Sequence, residues 1–522
     1  MSASREKKNR QERLASGAVD PKAVRREEER QKERRSNRLY ITIAAVFVVA
    51  AALLLVWNSG IVQRKAVAAK VDGKAYTTAE LDYYYTSSLN SINSSGYTSY
   101  FGLDTSKSMK EQSLNDTAKM LLGVSEDMTW DAYLKQDAVK KLTEVAMTVK
   151  AADEAGVSFT DEMQKDVDAT MDSLAEYAKQ NGYSAKAYLK AVYGKNMTMS
   201  SFKSLLHDSV LASHYQEDYE NSLTYTDEEV NKYYKENKDS FDVANYEFIY
   251  FQGTAASTTD DDGNTVEPTD AENKAAEKAA KADSAAALKD VQAGKSMEKI
   301  AEKYDEATYS KQESGSNVGD SVSEWVFDEA RKDGDTTVVK NGSNYYVLKF
   351  HSCGRHEYNT VNVRHILFMV DNSTLDKESE TYEADLQKLK DEAKAKAEDA
   401  LKKWKEGDAT EESFAALANE LSEDGGSNTN GGLYEQVPQG QMVPEFNDWI
   451  FDSSRKIGDT GIVFNEGNYI GYHVMYFVGE DAPYWQVQVR NTLQSKDFSD
   501  WKTALLTDVE TSEESGMKYV GR

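Results

Sequence analysis

The stretch from Val361 to Glu480 constrains the fold of this chain more than any other segment. It begins with an apolar strand pattern, Val361 to Phe368, and ends with a second, Gly471 to Phe477, and each strand carries one histidine. Between them lie a long charged helix pattern that runs to about Lys405, a short helix pattern, a Gly-rich loop and a third helix pattern. This order predicts one α+β domain of ordinary size.

Four short motifs follow one another along this stretch. They are His365-Ile366-Leu367, the loop Ser422-x-Asp424 with the pair Gly431-Gly432, the run Gly440-x-Met442-x-x-x-Phe446, and Gly471-Tyr472-His473. In this order they resemble the parvulin family of peptidyl-prolyl isomerases, whereas any one motif alone would be a weak signal. The family usually has Asp-Leu-Gly after the glycine pair, and this chain has Leu433-Tyr434-Glu435 instead, which leaves the shape of the loop open.

The resemblance implies an isomerase site on residues 359–481. The catalytic residues would be the paired imidazoles of His365 and His473 and the carboxylate of Asp424, which takes the place where some members have Cys. The substrate-binding residues would be Met442 and Phe446 in the proline pocket, with Leu433 or Tyr434 at its rim. A carboxylate at this position favours a hydrogen-bonding or electrostatic role over covalent catalysis.

The reaction explains why so few groups are needed. Rotation about a peptide bond is opposed by a barrier of about 18–20 kcal/mol because of amide resonance. A catalyst must stabilise the twisted amide relative to both planar forms, for which an apolar pocket and a nearby polar group suffice. We therefore expect no cofactor. The sequence contains neither His-x-x-x-His nor a Cys pair, so we expect no metal either.

Each candidate residue also has a purely structural interpretation. A histidine on an apolar strand is usually a core residue, Met442 and Phe446 have ordinary core spacing, and Asp424 could be a turn residue. Both histidines, however, stand at motif positions and both are missing from a second copy of the domain, described next. This combination favours the site.

Residues 241–354 repeat the domain in a degenerate form. The matching segments are Val243–Tyr250 with Val361–Phe368, Trp325–Phe327 with Trp449–Phe451, and Tyr345–Val347 with Tyr472–Val474. In this alignment Glu247 replaces His365 and Tyr346 replaces His473, and the Ser-x-Asp loop has no counterpart. We expect a structural or peptide-binding domain.

Residues 66–240 show mainly helical patterns. An apolar strand, a turn at Asp72-Gly73 and a capping-box sequence from Thr77 to Glu80 precede them. The tyrosines of this region either pack between helices or form an apolar surface for unfolded chains. A helical module that precedes parvulin modules resembles the extracytoplasmic foldases of the PrsA/SurA type. Residues 482–522 form a tail that either caps the last domain or returns to the helical module.

Residues 39–58 are predicted to cross a membrane. Leu39 to Trp57 is a run of 19 residues without charge, and a helix of this length spans a hydrocarbon core of about 30 Å. The tail of residues 1–38, predicted to be disordered, has 13 Lys and Arg against 7 Asp and Glu. The positive-inside rule places this tail in the cytoplasm and the later domains outside. A signal peptide cleaved at Ala66-Val67-Ala68 is the alternative, and the length of the apolar run favours an uncleaved anchor.

Charge and cysteine content exclude several classes of function. The net charge is −27 although the N-terminal tail is basic, and an acidic body argues against nucleic acid as a partner. Cys353 is the only cysteine, so neither an intrachain disulfide nor a zinc site built on several cysteines can form.

Together these observations predict a membrane-anchored extracytoplasmic foldase with an α+β fold. It would have a transmembrane helix, a helical chaperone module and two parvulin-like domains, of which the first is degenerate. Its partners would be unfolded secreted polypeptides with X-Pro bonds, and the membrane through residues 39–58. A binding-only chaperone with two silent parvulin scaffolds is the alternative, and a structural protein of the cell surface has less support.

Overall fold

The computed structural model describes residues 3–15, 42–52, 55, 59–259, 265–314 and 320–521. The fold mixes helices with antiparallel sheets and divides into two compact units. The first unit comprises Met1–Leu223 and Asp497–Arg522, and the second comprises Thr224–Lys496.

The bounds of the elements are as follows. The helices are α1 (Ala3–Ala15), α2 (Ile61–Lys65), α3 (Thr78–Ser94), α4 (Asp116–Leu122), α5 (Trp130–Glu154), α6 (Asp161–Gln180), α7 (Ala185–Tyr193), α8 (Met199–Ser222), α9 (Asp227–Glu236), α10 (Asp270–Gln292), α11 (Met297–Ala301), α12 (Asp320–Val326), α13 (Tyr382–Glu406), α14 (Glu411–Leu421), α15 (Pro444–Ile450) and α16 (Tyr484–Leu506). The strands are β1 (Val67–Val71), β2 (Lys74–Thr77), β3 (Val243–Phe251), β4 (Thr258–Thr259), β5 (Thr265–Val266), β6 (Ala307–Ser314), β7 (Thr336–Asn341), β8 (Asn344–Gly354), β9 (Asn359–Met369), β10 (Leu433–Val437), β11 (Thr460–Glu466), β12 (Ile470–Pro483) and β13 (Thr511–Glu513).

The N-terminal segment is described only in part. Residues 3–15, which we predicted to be disordered, form α1, a helix rich in the good helix formers Arg, Lys, Gln and Glu. Of the predicted span, residues 42–52 and 55 are helical and exposed, and its remaining residues lie outside the described part. Within the described part of the chain, no helix combines the length and the apolar character needed to cross a membrane.

The ordered core of the first unit opens with a hairpin and a capped helix. Asp72 and Gly73 have φ angles of 47° and 75°, as a type I′ turn between two strands requires. Thr77 then caps α3, because its side chain accepts a hydrogen bond from the N–H of Glu80 and the carboxylate of Glu80 accepts one from the N–H of Thr77. The predicted turn and capping box are both confirmed.

The C-terminal tail completes the core of this unit. β13 pairs with β1, which gives a sheet of order β13-β1-β2. The N–H of Gly516 donates to the carbonyl of Val67 at 2.7 Å, an approach that only glycine permits, since a Cβ there would lie 2.5 Å from that oxygen. Met517 and Val520 are buried in the same core as Leu134. Of the two destinations that the sequence left open, residues 497–521 take the helical one.

The first part of α16 belongs instead to the second unit. Its residues Trp485 and Val489 are buried against Val230 and Tyr234 of α9. The guanidinium of Arg355 stacks on the ring of Trp485, with its Cζ 3.7 Å from the ring centroid. The later residues Phe498 and Trp501 belong to the first unit, where their rings contact Tyr219.

A matched pair of methionine substitutions tests whether the tail is part of the core. Met517 is 6% exposed and Met120 is 73% exposed. Met517→Ala should lower the free energy of unfolding of the first unit by about 2–5 kcal/mol, because it leaves a cavity. Met120→Ala should change it by no more than about 0.5 kcal/mol. Urea unfolding followed by hydrogen exchange in Val67–Val71 measures both, and equal effects would contradict the packing described.

Two four-stranded sheets of the same strand order form the centre of the second unit. The orders are β6-β3-β8-β7 and β10-β9-β12-β11. In each sheet one face packs on a long and a short helix, α10 with α11 or α13 with α14. The other face packs on one short helix, α12 or α15. The two copies thus share their architecture, as the sequence repeat predicts.

Side-chain packing corrects our alignment of the first strands by one residue. The residues that face the helix pair are Ile249 and Phe251 in β3, and Ile366 and Phe368 in β9. This equivalence places Phe248, and not Glu247, at the position of His365. Neighbouring strand residues face opposite sides of a sheet, so a shift of one residue moves a side chain to the other face. Glu247 indeed lies on the other face, where its carboxylate contacts Tyr309 and His351.

The second strands keep the predicted equivalence. Ile249 pairs with Val347 as Ile366 pairs with Val474. The residue before each valine is therefore equivalent, which places Tyr346 at the position of His473.

Candidate active site

Two buried histidines meet on the central strands of the second sheet. β9 and β12 pair antiparallel, with His365 opposite Met475 and His473 opposite Leu367. This register sets the imidazoles diagonally on one face, where their Nδ1 atoms are 3.0 Å apart. Both side chains are almost fully buried, at 3% and 2% exposure. A buried polar pair of this kind is stable only when its hydrogen-bonding capacity is satisfied.

The loop after α14 brings a carboxylate to this pair. Its first residue, Ser422, accepts a hydrogen bond from the N–H of Leu367 at 3.1 Å, which fixes the loop against β9. Asp424 then places Oδ2 2.9 Å from Nε2 of His365. The three predicted catalytic residues therefore lie in one hydrogen-bonded cluster.

The glycine pair closes the loop onto the strand below it. The N–H of His365 donates to the carbonyl of Gly432 at 2.8 Å. Gly432 has a φ of +70°, and a Cβ on it would lie 2.2 Å from the carbonyl oxygen of His365. Glycine is therefore required at this position for both the backbone angle and the close approach.

The departure from the family pattern, Leu433-Tyr434-Glu435, forms the start of β10. Tyr434 pairs with Val363 and points its hydroxyl at Asp424, which accepts its hydrogen bond on Oδ2 at 3.0 Å. Leu433 lies opposite Arg364, on the face of the sheet away from the histidines. The structure thus brings Tyr434 into the cluster and separates Leu433 from it.

Two residues of the cluster were not predicted from the sequence. Ser427 is fully buried, donates to Oδ2 of Asp424 at 2.5 Å and lies 3.2 Å from Nε2 of His365. The hydroxyl of Tyr469 is 3.0 Å from Nε2 of His473. The spacing Asp-x-x-Ser in a Gly-rich turn is a weak signal for the first. No sequence signal pointed to the second.

Two apolar side chains, Phe446 and Met442, pack beside the histidine network. Phe446 is 2% exposed, and its ring meets His365 and His473 edge-on, with centroid distances of 5.4 Å and 5.3 Å. Met442 is half-buried and packs in the same cluster as Phe446 and Tyr434. Both predicted pocket residues therefore border the network.

Comparison with known proteins identifies the domain. Residues 345–479 match the family described as the PPIC-type PPIase domain. This part of the chain is a parvulin-type peptidyl-prolyl isomerase domain. The predicted family is thereby confirmed for the segment that carries the four motifs.

Solved structures of isomerases and foldases show more distant similarity. The peptidylprolyl isomerase PrsA from Bacillus anthracis is 23% identical over 29% of this chain and 58% of its own length, with a TM-score of 0.18. PrsA from Bacillus subtilis is 15% identical over 77% and 93%, with a TM-score of 0.29. The foldase protein PrsA from Streptococcus pneumoniae is 13% identical over 76% and 95%, with a TM-score of 0.21. No curated protein matches the chain. The assignment rests on the family match.

A continuous chain of hydrogen bonds runs through the network of the isomerase domain. The carboxylate of Asp424 can only accept, so Nε2 of His365 donates to it. One proton lies between the two Nδ1 atoms, and a further hydrogen bond joins Nε2 of His473 to the hydroxyl of Tyr469. The donor and the acceptor in these two bonds are set by the tautomer of each imidazole.

The pKa values of three groups in the cluster are shifted by these contacts and by burial. The hydrogen bond from His365, followed by those from Ser427 and the N–H of Gly426, holds the pKa of Asp424 well below its usual range. Burial, and then the neighbouring His365, lower the pKa of His473 to about 3. Burial and the hydrogen bond to Asp424 raise the pKa of Tyr434 to about 12. At neutral pH Asp424 is thus a carboxylate, and His473 and Tyr434 are uncharged.

The first copy keeps the scaffold of the isomerase domain and loses its polar centre. Phe248 and Tyr346 replace the histidines, and their rings meet edge-on with centroids 5.6 Å apart, against 5.2 Å for the two imidazoles. Val322 stands in place of Phe446. β6 pairs with β3 along eight residues, whereas β10 pairs with β9 only up to Arg364, which leaves room for the loop that carries Asp424.

The lowered pKa of His473 predicts how stability depends on pH. Because the folded pKa of about 3 lies below the unfolded value of about 6.5, the unfolded chain binds more protons between these limits. The contribution of His473 is fully present above about pH 6.5 and is lost as the pH falls towards 3, by up to about 1.4 kcal/mol per pH unit. His473→Asn should flatten the slope of the free energy of unfolding in this window, measured by denaturant unfolding. An unchanged slope would contradict the assignment.

Proposed function

We propose that this chain is an extracytoplasmic foldase whose isomerase domain acts on X-Pro bonds of unfolded secreted polypeptides. The observation that carries the proposal is the hydrogen-bonded network from Tyr469 through both histidines to Asp424, above the ring of Phe446. A second copy of the same fold has Phe and Tyr at the two histidine positions. The polar centre is therefore not required by the scaffold.

The exposure of each member suggests its role. His365, His473 and Ser427 are buried, whereas Asp424, Tyr434 and Tyr469 are only partly buried. In the proposal the proline ring rests on Phe446 and Met442, and the twisting amide meets the partly exposed members of the network. The histidines act as positioning residues that hold Asp424 and Tyr469 in place through hydrogen bonds.

In the proposal the gain in rate comes from dipoles that are already oriented in the folded domain. Twisting the X-Pro bond removes amide resonance and returns lone-pair density to the nitrogen. Hydrogen-bond donors and a carboxylate that are already oriented stabilise this altered charge distribution without reorganising. No covalent step, metal or cofactor is part of the proposal.

The alternative, a binding-only chaperone, rested on the departure Leu433-Tyr434-Glu435. In the structure the hydroxyl of Tyr434 is one of three donors to Oδ2 of Asp424. The departure thus adds a member to the network, which favours the isomerase over the silent scaffold.

Substitution of His365 tests the role of the network. His365→Ala removes the hydrogen bond to Asp424 and should lower kcat/KM for an X-Pro tetrapeptide by about 10- to 100-fold, the equivalent of one charge-assisted bond. The measurement is a protease-coupled cis/trans assay on the full chain. Tyr346→Phe in the first copy is the matched control and should leave the rate unchanged.

Suppression of aggregation by the same variants separates the two functions. His365→Ala should retain it if the binding surface lies elsewhere in the chain. A wild-type rate in His365→Ala would overturn the site, and a folded wild-type chain without any rate above background would favour the binding-only chaperone.

The proposal includes a membrane anchor at residues 39–58, with residues 1–38 in the cytoplasm. Its support is the uncharged run Leu39 to Trp57 and the basic residues before it. Val48→Lys combined with Val49→Lys should cost about 5–7 kcal/mol of insertion free energy, since each central Lys costs about 2.5–3.5 kcal/mol. The variant should move from the carbonate-washed membrane fraction to the supernatant. Val48→Leu with Val49→Leu is the control, and identical fractionation of the two would contradict the anchor.

A further inference from the structure

The sheet of the first unit has an open edge. On its inner side β13 pairs with β1, where Ser512 lies opposite Lys70. The hydrogen bonds from the N–H of Asp72 to the carbonyl of Glu510 and from the N–H of Glu514 to the carbonyl of Ala68 fix the phase of this ladder. In an antiparallel pair every second residue bonds to the partner.

The phase of the ladder leaves Thr511 and Glu513 with their main-chain groups directed away from β1. These two residues present two N–H and two C=O groups on the outer side. Both are exposed, and among the described residues no strand pairs with this side.

A groove runs along the open edge. Its volume is about 440 Å³, which lies within the range of about 300–1,000 Å³ that is typical of ligand sites. All three residues of β13 line it, together with Gln136, Val139, Lys140 and Thr143 of α5. Leu506 and Val509 add to its apolar part. The groove therefore combines the main-chain groups of β13 with apolar side chains and with the polar ends of Gln136 and Lys140.

We propose that this groove binds an extended, proline-free segment of an unfolded polypeptide, which adds to the sheet as a strand beside β13. Main-chain hydrogen bonds to Thr511 and Glu513 would give affinity independent of sequence, and alternate apolar side chains would enter the groove. Such recognition suits a partner that has no fixed structure and no fixed sequence. The inference rests on the proposed foldase function, and it makes this groove the site at which the foldase binds an unfolded polypeptide.

The geometry favours a peptide strand over other occupants. A small apolar molecule would leave the main-chain groups of β13 without partners. Proline lacks the N–H that a paired strand donates, so the bound segment is expected to lack proline at paired positions. Pairing of β13 with β13 of a second copy is one outcome of the test below.

The first test uses a fluorescent ten-residue peptide of alternating leucine and asparagine, with binding to the full chain measured by anisotropy. Glu513→Pro removes an outward N–H and leaves the bonds to β1 in place. It should raise Kd about fivefold or more, as expected for one lost hydrogen bond. Glu513→Gln keeps the N–H and removes the charge, and should change Kd by less than about twofold. Equal Kd values for the two variants would overturn the proposal.

The second test varies the peptide, so it does not depend on the folding of any variant. One isomer carries N-methyl groups on its leucine amides and the other on its asparagine amides. Since only alternate residues of an added strand bond to β13, one isomer should lose binding and the other should bind like the parent. Equal binding of both isomers, or self-association of the chain through β13 without peptide binding, would overturn the proposal.

Isomerisation of an X-Pro tetrapeptide by the same preparation keeps the two hypotheses apart. A chain that isomerises and does not bind the proline-free peptide refutes the groove and leaves the foldase domain intact. A chain that binds the proline-free peptide in the predicted way and does not isomerise the X-Pro tetrapeptide supports the groove and refutes the enzyme.

Discussion

The hydrogen bond between the Nδ1 atoms of His365 and His473 constrains the isomerase domain more than any other contact. Two imidazoles with 3% and 2% exposure must satisfy four ring nitrogens without water. The protein does so by pairing the imidazoles with each other and placing Asp424 at one end and the hydroxyl of Tyr469 at the other. The Gly-rich loop, the glycine pair and the short edge strand β10 all follow from the need to bring Asp424 to Nε2 of His365.

The first copy shows what the same scaffold does without that constraint. Its central strands carry Phe248 and Tyr346, whose ring centroids are 5.6 Å apart, close to the 5.2 Å between the imidazoles, although these rings meet edge-on and the imidazoles stack. No carboxylate has to reach them, so β6 continues along β3 where the isomerase domain has its loop. Apolar packing of the same shape is sufficient for the fold. Burial of the polar network therefore makes the free energy of folding less favourable than an apolar centre would. We attribute the presence of the network to function.

The candidate residues that the structure brings together are those in contiguous motifs. His365, His473, Asp424, Met442 and Phe446 were each named from a motif that resembles the parvulin family, and the strands and helices between them were predicted from periodicity. Leu433 lies on the face away from the histidines because the face that a strand residue occupies depends on its pairing with β9, and a shift of one residue exchanges the faces. The same sensitivity explains why Glu247 was aligned in place of Phe248.

Contacts between residues that are distant in the sequence could not be predicted from local patterns. Ser427 and Tyr469 join the network through the shapes of their loops, and these shapes depend on tertiary contacts such as the carbonyl of Gly432 on β9. The C-terminal tail is the largest case. Strand Thr511–Glu513 is too short and too polar to be predicted from the sequence. In the structure it pairs with Val67–Val71 and completes that sheet.

The chemistry of proline connects the isomerase domain with the open edge of β13. A strand that pairs with Thr511 and Glu513 must donate its own N–H groups, and proline cannot do so. An unfolded chain held at this edge is therefore held by segments without proline at paired positions, and its X-Pro bonds remain outside the sheet. The isomerase site requires the opposite, a proline ring free to rest on Phe446. The two modes of recognition thus select different segments of the same polypeptide, so binding at one need not compete with catalysis at the other.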